Sequence, residues 1–504
     1  MKERNRRTTH ADGGRATKAP GVPGPYNIPL FHVVLVLVSM LTSAAIASPS
    51  STFFLRPHDR VVFYGDSITE QRLYTNDVAT FVHTRFPRLP VTFINSGVGG
   101  DTVRGGWAGP LNVRLTRDVF PFRPTVVVIM LGMNDVFRPN PLPSYERGYQ
   151  VLVAKLRKHL PHVRLVLIGP SPFGDSAKPN AINGKLQAMS RFVRQLARRN
   201  KAMFVDFNAP LVSAMDRIGQ TSSKLASMLI PGKIHPGASG QLLMAAALLD
   251  AWHAPSTVTA VHIQARPLAV TRSDRTTISQ LRRRTGNITW MQHDSALPFP
   301  IMNLHAHCPQ FPPISRVWTL NDIAIELPYS GPPQLPSFTN PLAQQVLRIA
   351  HFYHNLDAQT LTVSGLSAGN YALRINNSLV GTFTQKQLAN GVNLAKYKTP
   401  MLQQAYRVLR QVWRISSMRY FAWRQLELTL YASTANQTQT YVGSPWVHVK
   451  PGRIDSTPAA QIAVKQILAG YSKLVHLQKL RLRRMMQVLP TRYELSPARG
   501  PMAP

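Results

Sequence analysis

Four short blocks in this 504-residue chain carry residue types suited to nucleophilic chemistry. Ser67 stands in Gly65-Asp66-Ser67-Ile68, directly after an apolar run. A serine at a strand end, behind a glycine that permits a tight turn, can project its hydroxyl into a cleft; to act as a nucleophile it needs that exposure and an adjacent base. Asn95-Ser96-Gly97-Val98-Gly99-Gly100-Asp101-Thr102 is rich in glycine, which lets backbone N–H groups approach an oxyanion, while Asp101 can cap the next helix or pin the loop. In Gly132-Met133-Asn134-Asp135 the asparagine can aim a side-chain amide N–H at developing negative charge. Ile234-His235-Pro236-Gly237 supplies the candidate base. Each block alone has a plainer reading: Gly-Asp-Ser turns cap helices, glycine clusters make turns, Asn and Asp favour Asx-turns, and a lone histidine is usually structural.

The elements that must position these blocks follow from periodicity. Val61–Tyr64, Val91–Ile94, Thr125–Leu131, Arg164–Ile168 and Ala202–Val205 are strand-length runs rich in β-branched residues. Helix-compatible segments lie near 75–86, 144–160, 181–199 and 238–253. Regular strand–helix alternation predicts a parallel sheet with helices on both faces, and function in such sheets sits at the carboxyl ends of the strands. The first three blocks each follow a predicted strand.

Gly-Asp-Ser-Ile, Gly-Asp-Thr, Gly-x-Asn-Asp and Ile-His-Pro, in that order within one α/β unit, resemble the SGNH (GDSL-type) hydrolase family over about residues 58–254. The resemblance implies a flavodoxin-like three-layer α/β/α esterase fold that uses no metal or other cofactor. It implies Ser67 as nucleophile and His235 as general base. The oxyanion hole would comprise the backbone N–H of Ser67, that of Gly100 and the Asn134 amide. Asp66, Asp101 and Asp135 are expected to support the loops or the substrate. Arg138-Pro139 and Gly169-Pro170-Ser171-Pro172 are less specific matches, suggesting the branch with a long C-terminal extension.

One departure from the family pattern matters. An acid usually stands three residues before the histidine, and here Gly232-Lys233-Ile234-His235 puts glycine there. In well-studied serine hydrolases, losing the acid costs on the order of 10⁴ in kcat, because it fixes the imidazole tautomer and stabilises the imidazolium. Three readings stay open. A backbone carbonyl of Pro231 or Gly232 orients His235 in a working dyad; another acid, Asp206 or Asp216, reaches in; or the fold binds glycan or anionic wall polymer without cleaving it.

Composition bounds the rest. The chain has 58 Lys+Arg against 22 Asp+Glu, a net charge of +36, yet charged residues are only 16% of the total. The cations are scattered rather than gathered on one stripe, which argues against a nucleic-acid partner and for a basic surface facing an acidic medium or anionic polymers, with a membrane surface as a further partner expectation. Hydrophobic residues at 44% are ordinary for a folded protein. The single cysteine, Cys308, excludes an intramolecular disulfide. Residues 1–47 combine a cationic stretch, the apolar run Leu30–Ala47 and Ala45-Ile46-Ala47 before Ser48. That pattern predicts a signal peptide for a secreted or periplasmic protein, with an uncleaved anchor as the alternative. Export without disulfides fits a bacterial source.

The organisation expected is a hydrolase-like domain over 48–254, a Pro-rich connection over 255–345, and a β-meander with helices over 346–504. The meander comprises Thr360–Ser364, Tyr371–Ile375 and Leu379–Phe383, and helices are expected over 400–425 and 458–490. The last is amphipathic through Val464, Ile467, Leu468, Tyr471, Leu474 and Val475. His305-Ala306-His307-Cys308 lacks further ligands at metal-site spacing. Trp107 is expected as a packed aromatic, with a cleft platform as the alternative. The substrate class expected is a small ester or an O-acylated carbohydrate.

Overall fold

The computed structural model describes residues 52–174, 180–301, 341–428 and 458–498. The predicted signal segment and the His305/His307/Cys308 cluster lie outside these residues.

The first unit is a parallel sheet of β1 (Arg60–Gly65), β2 (Thr92–Gly97), β3 (Val126–Met130), β4 (Arg164–Gly169) and β5 (Met203–Asp206), in the order β2-β1-β3-β4-β5. Phe63 of β1 is in register with Asn95 on one side and Val128 on the other. Every residue of β3 is buried, as its unbroken Val-Val-Val-Ile-Met requires of a central strand covered on both faces. The coverings are α1 (Ser67–Glu70), α2 (Leu73–Arg85), α3 (Leu111–Asp118), α4 (Pro141–His159), α5 (Ala181–Arg199), α6 (Asn208–Gly219) and α8 (Ala238–Ala251), with the short α7 (Ser223–Ser227) before the last. Their starts are chemically marked: Pro141 opens α4, and the Asn180 side chain accepts the Asn183 N–H at 2.7 Å to cap α5. The strand order reverses between β1 and β3, so the crevice lies at the carboxyl ends of those strands, as expected for a flavodoxin-like order.

Beyond residue 255 the chain departs from the sequence expectation. Residues 257–294, placed by sequence in a Pro-rich connection, form four strands: β6 (Thr257–Ala265), β7 (Leu268–Asp274), β8 (Thr276–Arg284) and β9 (Asn287–Asp294). The two-residue Thr285-Gly286 turn, with φ of 47° and 86°, closes the β8–β9 hairpin. After α9 (Pro341–Ile349) come β10 (Ala358–Ser364), β11 (Asn370–Ile375), β12 (Ser378–Thr384), β13 (Val392–Asn393), α10 (Pro400–Tyr420), a π-helical turn (Phe421–Glu427), α11 (Pro458–Met485) and β14 (Thr491–Pro497). The predicted three-strand meander does not form. β10 pairs in parallel with β6 in a sheet ordered β13-β10-β6-β7, whereas β11 and β12 join a second sheet, β8-β9-β14-β11-β12. The inner strands β6, β9, β10 and β11 alternate buried positions with more exposed ones, so Leu361 and Val363 of β10 and Leu373 and Ile375 of β11 share one core, where Trp290 stacks on Tyr493 at 5.0 Å. The loop from Gly365 to Gly369 therefore crosses between layers instead of closing a hairpin.

The expected helices are present. Thr399 caps α10 by accepting the Leu402 N–H at 3.1 Å, and α10 packs along α11 and α2. The α11 stripe is buried at Val464, Tyr471 and Val475, but Ile467 faces solvent. Arg85, fully buried on α2, ties the two parts together: it pairs with Asp357 at 3.2 Å and donates to the carbonyls of Pro255 and Leu356.

Candidate active site

β1 delivers Gly65, Asp66 and Ser67 to the crevice. A Cβ on Gly65 would lie 2.6 Å from the Met130 carbonyl oxygen, so only glycine lets β1 turn this close to β3. The buried Asp66 carboxylate accepts the Ile68 N–H at 3.0 Å and so caps α1, which fixes the serine on the first turn of the helix. Burial, with Asp135 and Asp101 nearby, pushes the Asp66 carboxyl up to about 8.

His235 arrives from the loop before α8. That loop is folded on itself by Gly237 N–H to Leu229 O at 2.9 Å and Lys233 N–H to Ile230 O at 3.0 Å, and is joined to the β4 side by Gly174 N–H to Lys233 O at 2.7 Å. His235 Nε2 and Ser67 Oγ lie 2.8 Å apart, and both residues are half-buried. Burial pulls the His235 pKa down to about 4, opposed by the charge of Glu70. The imidazole is thus neutral at ordinary pH and able to accept the serine proton.

Gly232 has φ of 71°, and a Cβ placed on it would meet nothing within 4 Å. Lys233 beside it is also left-handed, with φ of 70°. The position where the family pattern carries an acid is therefore open space in a tight turn. Of the alternative acids, Asp206 accepts the N–H groups of Asn208 and Ala209 at the start of α6, at 2.8 and 3.2 Å, and faces Arg194. Asp216 lies along α6, in the shallow groove that Asp206 also lines. The carboxylate whose charge acts on His235 is Glu70, one helical turn beyond Ser67.

The glycine-rich loop after β2 sits against Ser67: a Cβ on Gly99 would be 3.7 Å from Ser67 Cβ. Gly100 has φ of 80°, which glycine adopts without strain, and Asp101 N–H closes the turn onto Val98 O at 3.1 Å. Asn134 Nδ2 donates to Asp101 O at 2.9 Å, so Asn134 and the 98–101 turn are held together, with one N–H of the amide used and a second remaining. Asp101 pins the loop. It receives Arg114 Nε at 2.7 Å, and the same guanidinium donates to Ser96 O at 2.8 Å and pairs with Asp118, all fully buried. Asp135 Oδ1 accepts the Val103 N–H at 3.2 Å. Among the predicted site residues, then, Ser67 and His235 meet directly, Gly100 and Asn134 are joined through the Asp101 backbone, and Asp66, Asp101 and Asp135 act as buried supports.

The sequence did not reveal several members. Glu70 Oε2 accepts the Gly99 N–H at 2.6 Å, while Glu70 Oε1 accepts Tyr420 OH at 3.0 Å and Arg424 Nε at 2.6 Å. Its i+3 spacing from Ser67 was the available signal. Trp107 is packed as expected, donating Nε1–H to Gly99 O at 2.8 Å beneath the Arg424 guanidinium, 4.4 Å from its ring. Trp423 donates to Asp118 at 2.7 Å. Gln241, fully buried on α8, donates to Pro236 O at 3.1 Å and to Gln71 at 2.5 Å, and accepts the Tyr74 N–H at 3.1 Å. It couples the histidine loop to the end of the serine helix.

Comparison with known proteins places this geometry. Residues 63–243 match the GDSL-like lipase/acylhydrolase family. An acetylxylan esterase from Geobacillus stearothermophilus is 27% identical over 216 residues, 38% of this chain and 92% of that protein. A solved structure of a gut microbial diltiazem-metabolizing enzyme shares the fold with a TM-score of 0.70 at 24% identity, over 89% of this chain and all of that one. That likeness in fold extends well past the matched domain, into the C-terminal sheets and helices. The strand order, the serine–histidine contact and the matched segment agree: at residues 63–243 this chain carries a domain of the GDSL-like lipase/acylhydrolase family.

Proposed function

We propose that the protein is a serine esterase that removes a small acyl group, acetyl on a carbohydrate being the favoured case, through an acyl-enzyme. The observation that carries this is the 2.8 Å contact between Ser67 Oγ and the neutral His235 imidazole, at the carboxyl end of the parallel sheet. Ser67 Oγ attacks the acyl carbonyl carbon as its proton passes to His235 Nε2. The tetrahedral oxyanion is met by the N–H groups of Ser67 and Gly100 and by the Asn134 amide. Collapse expels the sugar hydroxyl with the proton from His235, and water, deprotonated by the same imidazole, releases the acid. Glu70 offsets part of the cost of the imidazolium that Gly232 cannot relieve. Acetyl is favoured because a relative is an acetylxylan esterase. Export is part of the proposal and rests on the signal-like residues 1–47; amino-terminal sequencing of the secreted protein checks it.

The test is hydrolysis of p-nitrophenyl acetate and of acetylated xylan by the full chain, Ser67→Ala and His235→Ala. Ser67→Ala should fall by at least ~10³-fold and His235→Ala comparably. Undiminished hydrolysis in Ser67→Ala overturns the proposal.

A further inference from the structure

Away from Ser67, a cavity of about 870 Å³ lies between β1, β2 and α2 on one side and α10 and α11 on the other. That volume suits a small organic ligand. Much of its wall is apolar, including Phe63, Phe93, Ile415, Leu482 and Met486. Among its lining residues are three cations from two helices and a histidine from a third, with Arg60, Arg72 and Arg88 adding to the positive charge. Arg419 of α10 has its Nε buried without a hydrogen-bond partner and makes no ion pair among the described residues. Lys479 and the more exposed Arg483 come from α11, and His83 from α2 has a buried, unpartnered Nδ1.

The three cations Arg419, Lys479 and Arg483 repel one another. Burial, then Arg419 and Arg483, pull the Lys479 ammonium down to about 8. Burial, then Lys479, holds His83 near 4, and burial lowers Arg419 to about 10. Of the described lining residues Asp294 alone is acidic, and its carboxylate is already committed to Gln292 Nε2 at 2.7 Å and Gln359 Nε2 at 3.3 Å. Buried cations without a counter-charge are costly, and a bound anion removes that cost. An apolar wall beside them adds a place for a hydrocarbon body.

We propose that this cavity binds an amphiphilic anion, its carboxylate or phosphate head held by Arg419 and Lys479 and its chain lying along Phe93, Ile415 and Leu482. This site is separate from the proposed esterase centre and does not depend on it.

Calorimetric titration of the full chain carrying Ser67→Ala tests it, with decanoate, decyl phosphate, decanol and inorganic phosphate as probes. Decanoate or decyl phosphate should bind one to one, at least tenfold tighter than decanol or inorganic phosphate. Tighter decanoate identifies a free fatty acid as the source, and tighter decyl phosphate a lipid headgroup. Arg419→Gln and Lys479→Met should each weaken binding at least tenfold. Lys479→Met should also melt no lower than the parent without ligand, since it removes a repelling charge. Equal binding of decanol, or unchanged affinity in a folded Lys479→Met, overturns the proposal.

Discussion

Arg424, from the π-helical turn that follows α10, places its Nε 2.6 Å from the carboxylate of Glu70, three residues after Ser67. The other oxygen of that carboxylate holds Gly99, whose neighbour Gly100 is the proposed oxyanion donor. A residue of the C-terminal region thus holds the carboxylate that fixes the backbone of the proposed oxyanion hole. Both partners are mostly buried, so stranding one charge is costly, on the order of 3 kcal/mol. Arg424→Met should lower kcat on p-nitrophenyl acetate by about tenfold or more with a smaller change in KM, because a loosened donor acts on the transition state. The double variant Glu70→Gln/Arg424→Met should be less impaired than the sum of the singles; strict additivity would mean that the pair does not act as a unit.

The depressed pKa of His235 fixes the sign of the pH response. The imidazole must be neutral to accept the serine proton, so activity is lost as pH falls through its pKa. With that value near 4 rather than 6.5, the acidic limb of kcat/KM should lie near pH 4. Glu70→Gln removes the charge that raises it and should push the limb lower still. A limb near 6.5 in the wild type would contradict the burial argument.

Gly232 offers a gain-of-charge test. The site has open space but φ of 71°, so Gly232→Asp should fold at a cost of about 1 kcal/mol in unfolding free energy. A carboxylate there should raise the His235 pKa and move the acidic limb of kcat/KM upward. An unmoved limb would show that the new carboxylate does not face the imidazole.

Gln241 bridges the segments that carry Ser67 and His235 through Gln71 and Pro236 O. Gln241→Leu keeps the volume but orphans the Tyr74 N–H and the Pro236 carbonyl. It should cost about 1–3 kcal/mol in a denaturant titration. It should also lower kcat, with the position of the acidic limb unchanged, since no charge is altered.

Much of the α/β unit was legible because its central strands are continuous apolar runs and its site blocks fall directly after them. Ser67, Asn134 and His235 stood out as candidates from local chemistry and Gly100 only through the family resemblance; the structure brings Ser67 and His235 to 2.8 Å. Glu70, Gln241 and Arg424 did not stand out, because the contacts that tie them together, Gln241 to Gln71 and Arg424 to Glu70, join segments 170 and 354 residues apart. β8 was hidden for another reason: as an edge strand exposed on most positions, with Arg282, Arg283 and Arg284 at its end, it shows no apolar alternation. The partner of β10 was misjudged because a five-residue loop with two glycines serves a layer crossing as well as a hairpin.

The central claim is that Ser67 becomes acylated with His235 as its base. Rapid quenching of the full chain with p-nitrophenyl acetate, followed by peptide mass mapping, reads this directly. An acetyl group on the peptide carrying Ser67, absent in Ser67→Ala and scarcely formed in His235→Ala, is the expected result. Turnover with no adduct on Ser67 and full activity in Ser67→Ala would contradict it.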